Sequence, residues 1–160
     1  MEPEYLTLEE QLVTRLISLG WHISCAESCT GGLLAASIIN AANASQVLNA
    51  SFITYAAEAK MRYAHVAEAT IDAYGVVSEE VAKELASGAA KETSAEVGVG
   101  ITGIAGPGGT PELPAGMVCF GFFVNGILSS QTMYFGEIGR NKVRKEAVLF
   151  AMKTLLGLLP

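Results

Sequence analysis

The stretch Glu27-Ser28-Cys29-Thr30-Gly31-Gly32 has the residue types of a reactive turn. A short apolar run, Trp21 to Ala26, precedes it, and another, Leu33 to Ile39, follows. Read as strand, turn and helix, the order puts the Ser28 hydroxyl near backbone N–H groups and the positive end of a helix. That setting suits an oxyanion or a phosphate. A plainer reading stays open, in which Ser28 or Thr30 caps the helix. The stretch matches neither G-x-S-x-G nor a phosphate-binding P-loop. A serine nucleophile needs a base. His22 and His65 are the only histidines and lie in unpromising contexts. Lys60 is the first lysine or arginine after Arg15 and stands just past a second expected strand. Desolvated, its amine would lose basicity and could take the serine proton. Exposed, it would pair with Glu58 or another neighbour. Tyr55, at that strand's end, could relay or orient the proton.

Two further segments could touch a ligand. The loop Gly103-Ile104-Ala105-Gly106-Pro107-Gly108-Gly109 could bring backbone close to a substrate, or be an ordinary connection. Arg140 and Arg144 are candidate phosphate ligands on the first turns of the last helix, or surface residues. With Lys142 and Lys145 they oppose the helix dipole, which mildly favours a ligand role. Cys25 and Cys29 have C-x-x-x-C spacing, neither the redox nor the common zinc arrangement. They are read as small buried thiols, and no metal site is expected.

The surrounding pattern supplies elements to hold these groups. Thr7-Leu8-Glu9-Glu10 is a capping box opening a helix that Gly20 stops. Strands are expected at Trp21–Ala26, Ser51–Tyr55 and Val97–Thr102, with helices at Leu33–Ile39, Glu58–Val66 and after Ser78. Asn125-Gly126 joins two apolar, β-prone runs, Met117–Val124 and Ile127–Phe135, as a hairpin. Gly139 to Leu159 closes the chain as a helix. Strands alternating with helices indicate a layered α/β domain, and the hairpin makes its sheet mixed. Three segments, Glu27–Gly32, Tyr55–Lys60 and Thr102–Gly109, follow strand ends, where open α/β sheets bind ligands.

Composition narrows the function. The 160 residues suit one domain, 1–160, with no internal repeat or linker. Hydrophobic residues make up 51% and charged ones 16%, against about 25% charged in a usual soluble protein. Mean hydropathy is +0.38. Disorder is excluded, and so little charge predicts a homo-oligomer, a dimer or larger. A net charge of −6 disfavours nucleic acid as a partner but permits a small anion at a local basic group. The uncharged stretches Ser28–Ala57 and Leu113–Gly136 are interrupted by polar residues and by Asn125-Gly126, so neither reads as a membrane span. Met1 to Glu10 lacks a basic-then-apolar signal. The expectation is a cytoplasmic protein with no membrane partner.

Taken in order, Ala26-Glu27-Ser28-Cys29-Thr30-Gly31-Gly32, Thr54-Tyr55-x-x-Glu58-Ala59-Lys60, Val77-Ser78-Glu79-Glu80 and Thr102-Gly103-Ile104-Ala105-Gly106-Pro107 resemble the CinA C-terminal domain family. The resemblance covers essentially the whole chain, and the combination is specific where each piece is not. It implies a three-layer α/β/α sandwich with a mixed, mostly parallel sheet and one antiparallel hairpin. It also implies the stand-alone form of the domain and hydrolysis of nicotinamide mononucleotide (NMN) to nicotinate mononucleotide and ammonia, in pyridine-nucleotide salvage. Carried over, Ser28 is the nucleophile, Lys60 the general base and Tyr55 its assistant, with no metal or organic cofactor. N–H groups near Thr30, Gly31 and Gly32 would hold the oxyanion. Thr102, Gly103 and Gly106 would bind substrate, and Arg140 its phosphate. Ala56 and Ala57 depart from the Ser-Asn usual in the family, and Leu113 from its lysine. Ile138-Gly139-Arg140 stands for its G-D-R. These departures leave a second function class open, a nucleotide- or partner-binding competence/damage-inducible protein with weak turnover.

Overall fold

Local signals set the ends of the elements. In the computed structural model, which describes residues 6–160, the first helix, α1 (Leu8–Leu19), carries both bonds of its capping box: Glu10 N–H donates to Thr7 Oγ1, and Thr7 N–H to Glu10 Oε2. Gly20 ends it in the left-handed conformation at φ 67°. Ser78 caps α5 (Glu79–Thr93) by accepting from Val81 N–H at 3.2 Å. Asn125 and Gly126 both have positive φ, as a tight two-residue hairpin between β4 (Met117–Val124) and β5 (Ile127–Tyr134) requires. Met1 to Tyr5 lie outside the described residues, and with them part of the N-terminal segment read above for targeting and the start of the 1–160 domain.

The other elements are β1 (Ile23–Glu27), α2 (Leu33–Ile38), β2 (Leu48–Ile53), α3 (Ala57–Ala64), α4 (Glu68–Tyr74), β3 (Val97–Gly103) and α6 (Arg140–Leu158). The five strands form one sheet in the order β2-β1-β3-β4-β5. β1 is parallel to β2 and β3, while β4 is antiparallel to both its neighbours. The sheet is therefore mixed, as the hairpin predicted, and β4 alone carries the reversal. The chain leaves β1 for β2 on one side and returns to β3 on the other. That makes the carboxyl ends of β1 and β3 a topological switch point.

Strand alternation builds two unequal layers. On one face Ile23, Cys25, Val97, Val99, Ile101, Phe120 and Phe122 bury against α1, α2 and α6. Phe120 stacks obliquely on Phe150 of α6, with ring centroids 4.7 Å apart. On the other face lie Gly98, Gly100 and Gly121, and α5 rests almost on the backbone. A methyl group at Gly98 would strike the Ala86 carbonyl, and one at Gly100 or Gly121 the Ala82 carbonyl. Gly88 of α5 admits α3 in the same way, since a methyl there would strike the Ala64 carbonyl. Side-chain-free contacts thus set how closely α5 approaches the sheet and α3 approaches α5. Among the described residues no helix is long and apolar enough to cross a membrane.

Three elements differ most from expectation, the first being β1, which starts at Ile23 and takes in Glu27, read above as part of the turn. β2 begins at Leu48 and ends at Ile53, before Thr54 and Tyr55, whose carbonyls turn to a side-chain donor. α4 was not foreseen. It has no fully buried residue, so it lacks the apolar stripe that marks a helix. Glu84 of α5 holds it, accepting from Ala67 N–H at 2.8 Å and Thr70 Oγ1 at 2.7 Å.

Gly100→Ala would place its methyl 2.7 Å from Leu85 Cβ as well as against Ala82, forcing α5 outward. Urea unfolding should register a loss of about 1–3 kcal/mol. Gly157→Ala, in α6 with nothing within 4 Å of the added methyl, should instead gain up to about 1 kcal/mol.

Candidate active site

The carboxyl ends of β1 and β3 open onto a cavity of about 300 Å³. Ser28 leaves β1 with its N–H donated to the Ile101 carbonyl of β3 at 2.9 Å, so the switch point itself anchors the turn. Lys60 reaches the cavity from α3. It is a lysine only 2% exposed, and its amine lies 3.2 Å from Ser28 Oγ. Nζ also donates to the Thr54 carbonyl at 2.6 Å and the Tyr55 carbonyl at 3.3 Å. Among the described residues no carboxylate pairs with it. Burial holds its pKa below the ordinary 10.5, with the neighbouring Cys29 opposing the shift. A neutral amine has two N–H groups and one lone pair. Once deprotonated, Lys60 would give both N–H groups to the carbonyls and keep a lone pair for the Ser28 hydroxyl.

Cys29, beside the serine, also lines the cavity. Burial pushes its thiol up to about 11, so it is protonated and unreactive near neutral pH. Cys25 and Cys119 are likewise buried free thiols. Among the described residues no group of three or more His, Cys, Asp or Glu side chains is placed to hold a metal ion.

The cavity brings together Ser28, Lys60, Tyr55, Thr102, Gly103, Gly106 and Arg140. Thr102 donates to the Val76 carbonyl at 2.8 Å, tying the β3 exit to another wall of the cavity. Arg140 donates to the Gly106 carbonyl at 2.7 Å and the Tyr55 hydroxyl at 3.0 Å. Tyr55 therefore meets Lys60 through its carbonyl, while its hydroxyl belongs to Arg140. Ala105, Gly106, Pro107 and Arg140 also line an adjoining cavity of about 350 Å³.

Thr30, Gly31 and Gly32 are not part of the cavity wall. Nor does Ser28 or Thr30 cap α2, whose N-cap is Gly32 without a side-chain bond. Glu27 performs that task from β1, accepting from Leu34 N–H at 2.8 Å and Ala35 N–H at 3.2 Å. Sequence reasoning passed over Glu27, which is separated from α2 by the whole turn and meets the helix N–H groups only through the fold. Arg144, read as a phosphate candidate, donates instead to the Cys29 carbonyl at 2.9 Å and the Thr30 carbonyl at 3.2 Å. Hydrogen bonds thus occupy the N–H groups of Ser28, Gly31 and Leu33 to Ala35. Among the described residues, those of Cys29, Thr30 and Gly32 have no protein acceptor.

Fold and site define an α/β domain with a serine and a buried amine facing each other at its switch point. The chain belongs to the CinA C-terminal domain family, which it matches over residues 6–159. It is 47% identical over 147 residues to a CinA-like protein from Kosmotoga olearia, covering 91% of this chain and 35% of that protein. The chain thus spans about a third of the length of several curated relatives it matches. It is 40% identical over 152 residues to the nicotinamide-nucleotide amidohydrolase PncC of Enterobacter agglomerans, covering 93% of this chain and 92% of that one. The crystal structure of a CinA superfamily protein from Escherichia coli superposes with a TM-score of 0.91 at 37% identity, covering 95% of this chain and 88% of that one. The competence/damage inducible protein CihA from Agrobacterium tumefaciens gives 0.88 at 36% identity, with 99% of both chains covered.

The departure at Ala56 has a local consequence. Ala56 is the N-cap of α3, with extended backbone and no side-chain cap bond. Ala56→Ser should supply the missing acceptor and raise stability by about 1 kcal/mol in denaturant unfolding.

Proposed function

We propose that this chain is an amidohydrolase that converts NMN and water to nicotinate mononucleotide and ammonia, with Ser28 as nucleophile and Lys60 as general base. The observation that carries the reading is the buried amine 3.2 Å from Ser28 Oγ. The similarity to PncC supports NMN as the substrate.

Ser28 Oγ attacks the carboxamide carbon as its proton passes to the Lys60 lone pair. The donor offered to the developing oxyanion is the N–H of Cys29, a residue of the cavity wall, which has no protein acceptor among the described residues. The C–N bond breaks, and the proton on Lys60 goes to the departing nitrogen, which leaves as ammonia. Water then attacks the acyl ester, giving a proton to Lys60. The acyl–oxygen bond breaks, and that proton returns to Ser28 Oγ. Each of these steps uses only groups of the chain, the substrate and water. The substrate phosphate meets Arg140, whose guanidinium has five N–H donors and spends two on Gly106 and Tyr55.

Ammonia release from NMN tests the reading. Ser28→Ala and Lys60→Ala should each cut kcat by about a thousandfold or more with folding intact. A folded wild type that binds NMN without turnover would support the binding-module alternative, which the Ala56-Ala57 departure favours.

The base must be neutral to accept a proton, and burial lowers its pKa. Activity should therefore rise with pH. The acidic limb of kcat/KM should have its midpoint below the ordinary lysine value of 10.5, as a pH–rate profile of the free enzyme would report.

A further inference from the structure

Glu27 has no part in the proton transfers above, yet it is fully buried and directly precedes the nucleophile. Its carboxylate accepts four hydrogen bonds from three segments. Thr30 Oγ1 donates at 2.8 Å from the reactive turn. Leu34 N–H and Ala35 N–H donate from the start of α2. Ser51 Oγ donates at 2.8 Å from β2. Four acceptor sites are about what a carboxylate offers, so this one is saturated. The Glu27 main-chain carbonyl takes a fifth bond, from Thr54 N–H at 2.9 Å. Thr54 and Tyr55 are the residues whose carbonyls hold Lys60 Nζ. One residue therefore touches both the serine's turn and the strand end that seats the amine.

We propose that Glu27 is a positioning residue whose carboxylate fixes the separation of Ser28 and Lys60, by tying the nucleophile's turn to β2. Thr30 is its arm on the turn, and Ser51 its arm on the strand. All four side-chain contacts are donors, so an amide in place of the carboxylate would turn an NH2 group toward at least one of them. Arg144 completes the clamp by holding the Cys29 and Thr30 carbonyls from α6. The kinetic consequence rests on the amidohydrolase reading, whereas the restraint on the turn does not.

Thr30→Val removes one hydroxyl at nearly constant volume and leaves the cap on α2 intact, so it carries the test even where Glu27→Gln fails to fold. It should lower kcat for ammonia release from NMN at least about tenfold, with KM within about twofold. Thr30→Ser, which keeps the hydroxyl, should recover most of that loss. Amide hydrogen exchange read by mass spectrometry should rise about tenfold over residues 28–32 in Thr30→Val, with β3 and β4 unchanged. A purely structural role would lower the melting temperature and leave kcat of the folded enzyme and exchange in the turn as in wild type. That result overturns the proposal. Should the wild type release no ammonia, the amidohydrolase reading fails. Exchange in residues 28–32 then decides on its own, a rise supporting the restraint and no rise refuting it.

Discussion

A lysine amine withdrawn from water with no carboxylate partner among the described residues is the constraint on which the rest of this site depends. Burying a charged ammonium is costly, and the usual remedies are pairing or loss of the proton. Here the remedy is a set of uncharged oxygens, the Thr54 and Tyr55 carbonyls and the Ser28 hydroxyl. Each part of the arrangement follows. β2 gives up its ladder after Ile53 so that the next two carbonyls can turn inward. α3 is drawn close enough to deliver Lys60 because Gly88 lets it sit against α5. Cys29 stays a thiol beside the pair and so does not compete with the serine as a nucleophile.

The two arginines of α6 resolve a charge pattern that looked unfavourable in the sequence. Cations at a helix N-terminus face its positive end. Arg140 and Arg144 escape that penalty by donating across to other segments. Arg144 satisfies carbonyls of the reactive turn, and Arg140 the Gly106 carbonyl. The last helix in the chain is thereby joined to a turn more than a hundred residues earlier.

What was legible in the sequence was whatever has a local signature. The capping box at Thr7, the stop at Gly20, the hairpin at Asn125-Gly126 and the apolar β3 run all appear where their residues put them. Ser28 and Lys60 could be named as a pair from the motifs, and the structure sets them within hydrogen-bond reach. What was not legible depends on partners distant in the chain. The Arg144 contact to Cys29 spans 115 positions, and the Ser51 contact to Glu27 spans 24. The direction of the Tyr55 side chain was equally hidden, because its hydroxyl partner, Arg140, lies 85 residues on. α4 escaped notice for the opposite reason: it buries too little to leave a pattern. In each case the missing information was which tertiary neighbour a polar group would find.

The glycines at the contacts of α5 carry a lesson for anyone comparing relatives of this chain. Gly88, Gly98, Gly100 and Gly121 touch no part of the reactive cavity, and a methyl at any of them would collide with main chain. Selection against change should be as severe there as at the reacting atoms, yet for reasons of clearance alone. A catalogue of invariant positions would therefore mix two populations, one kept for chemistry and one kept because a helix leaves no room. Only three-dimensional placement separates them.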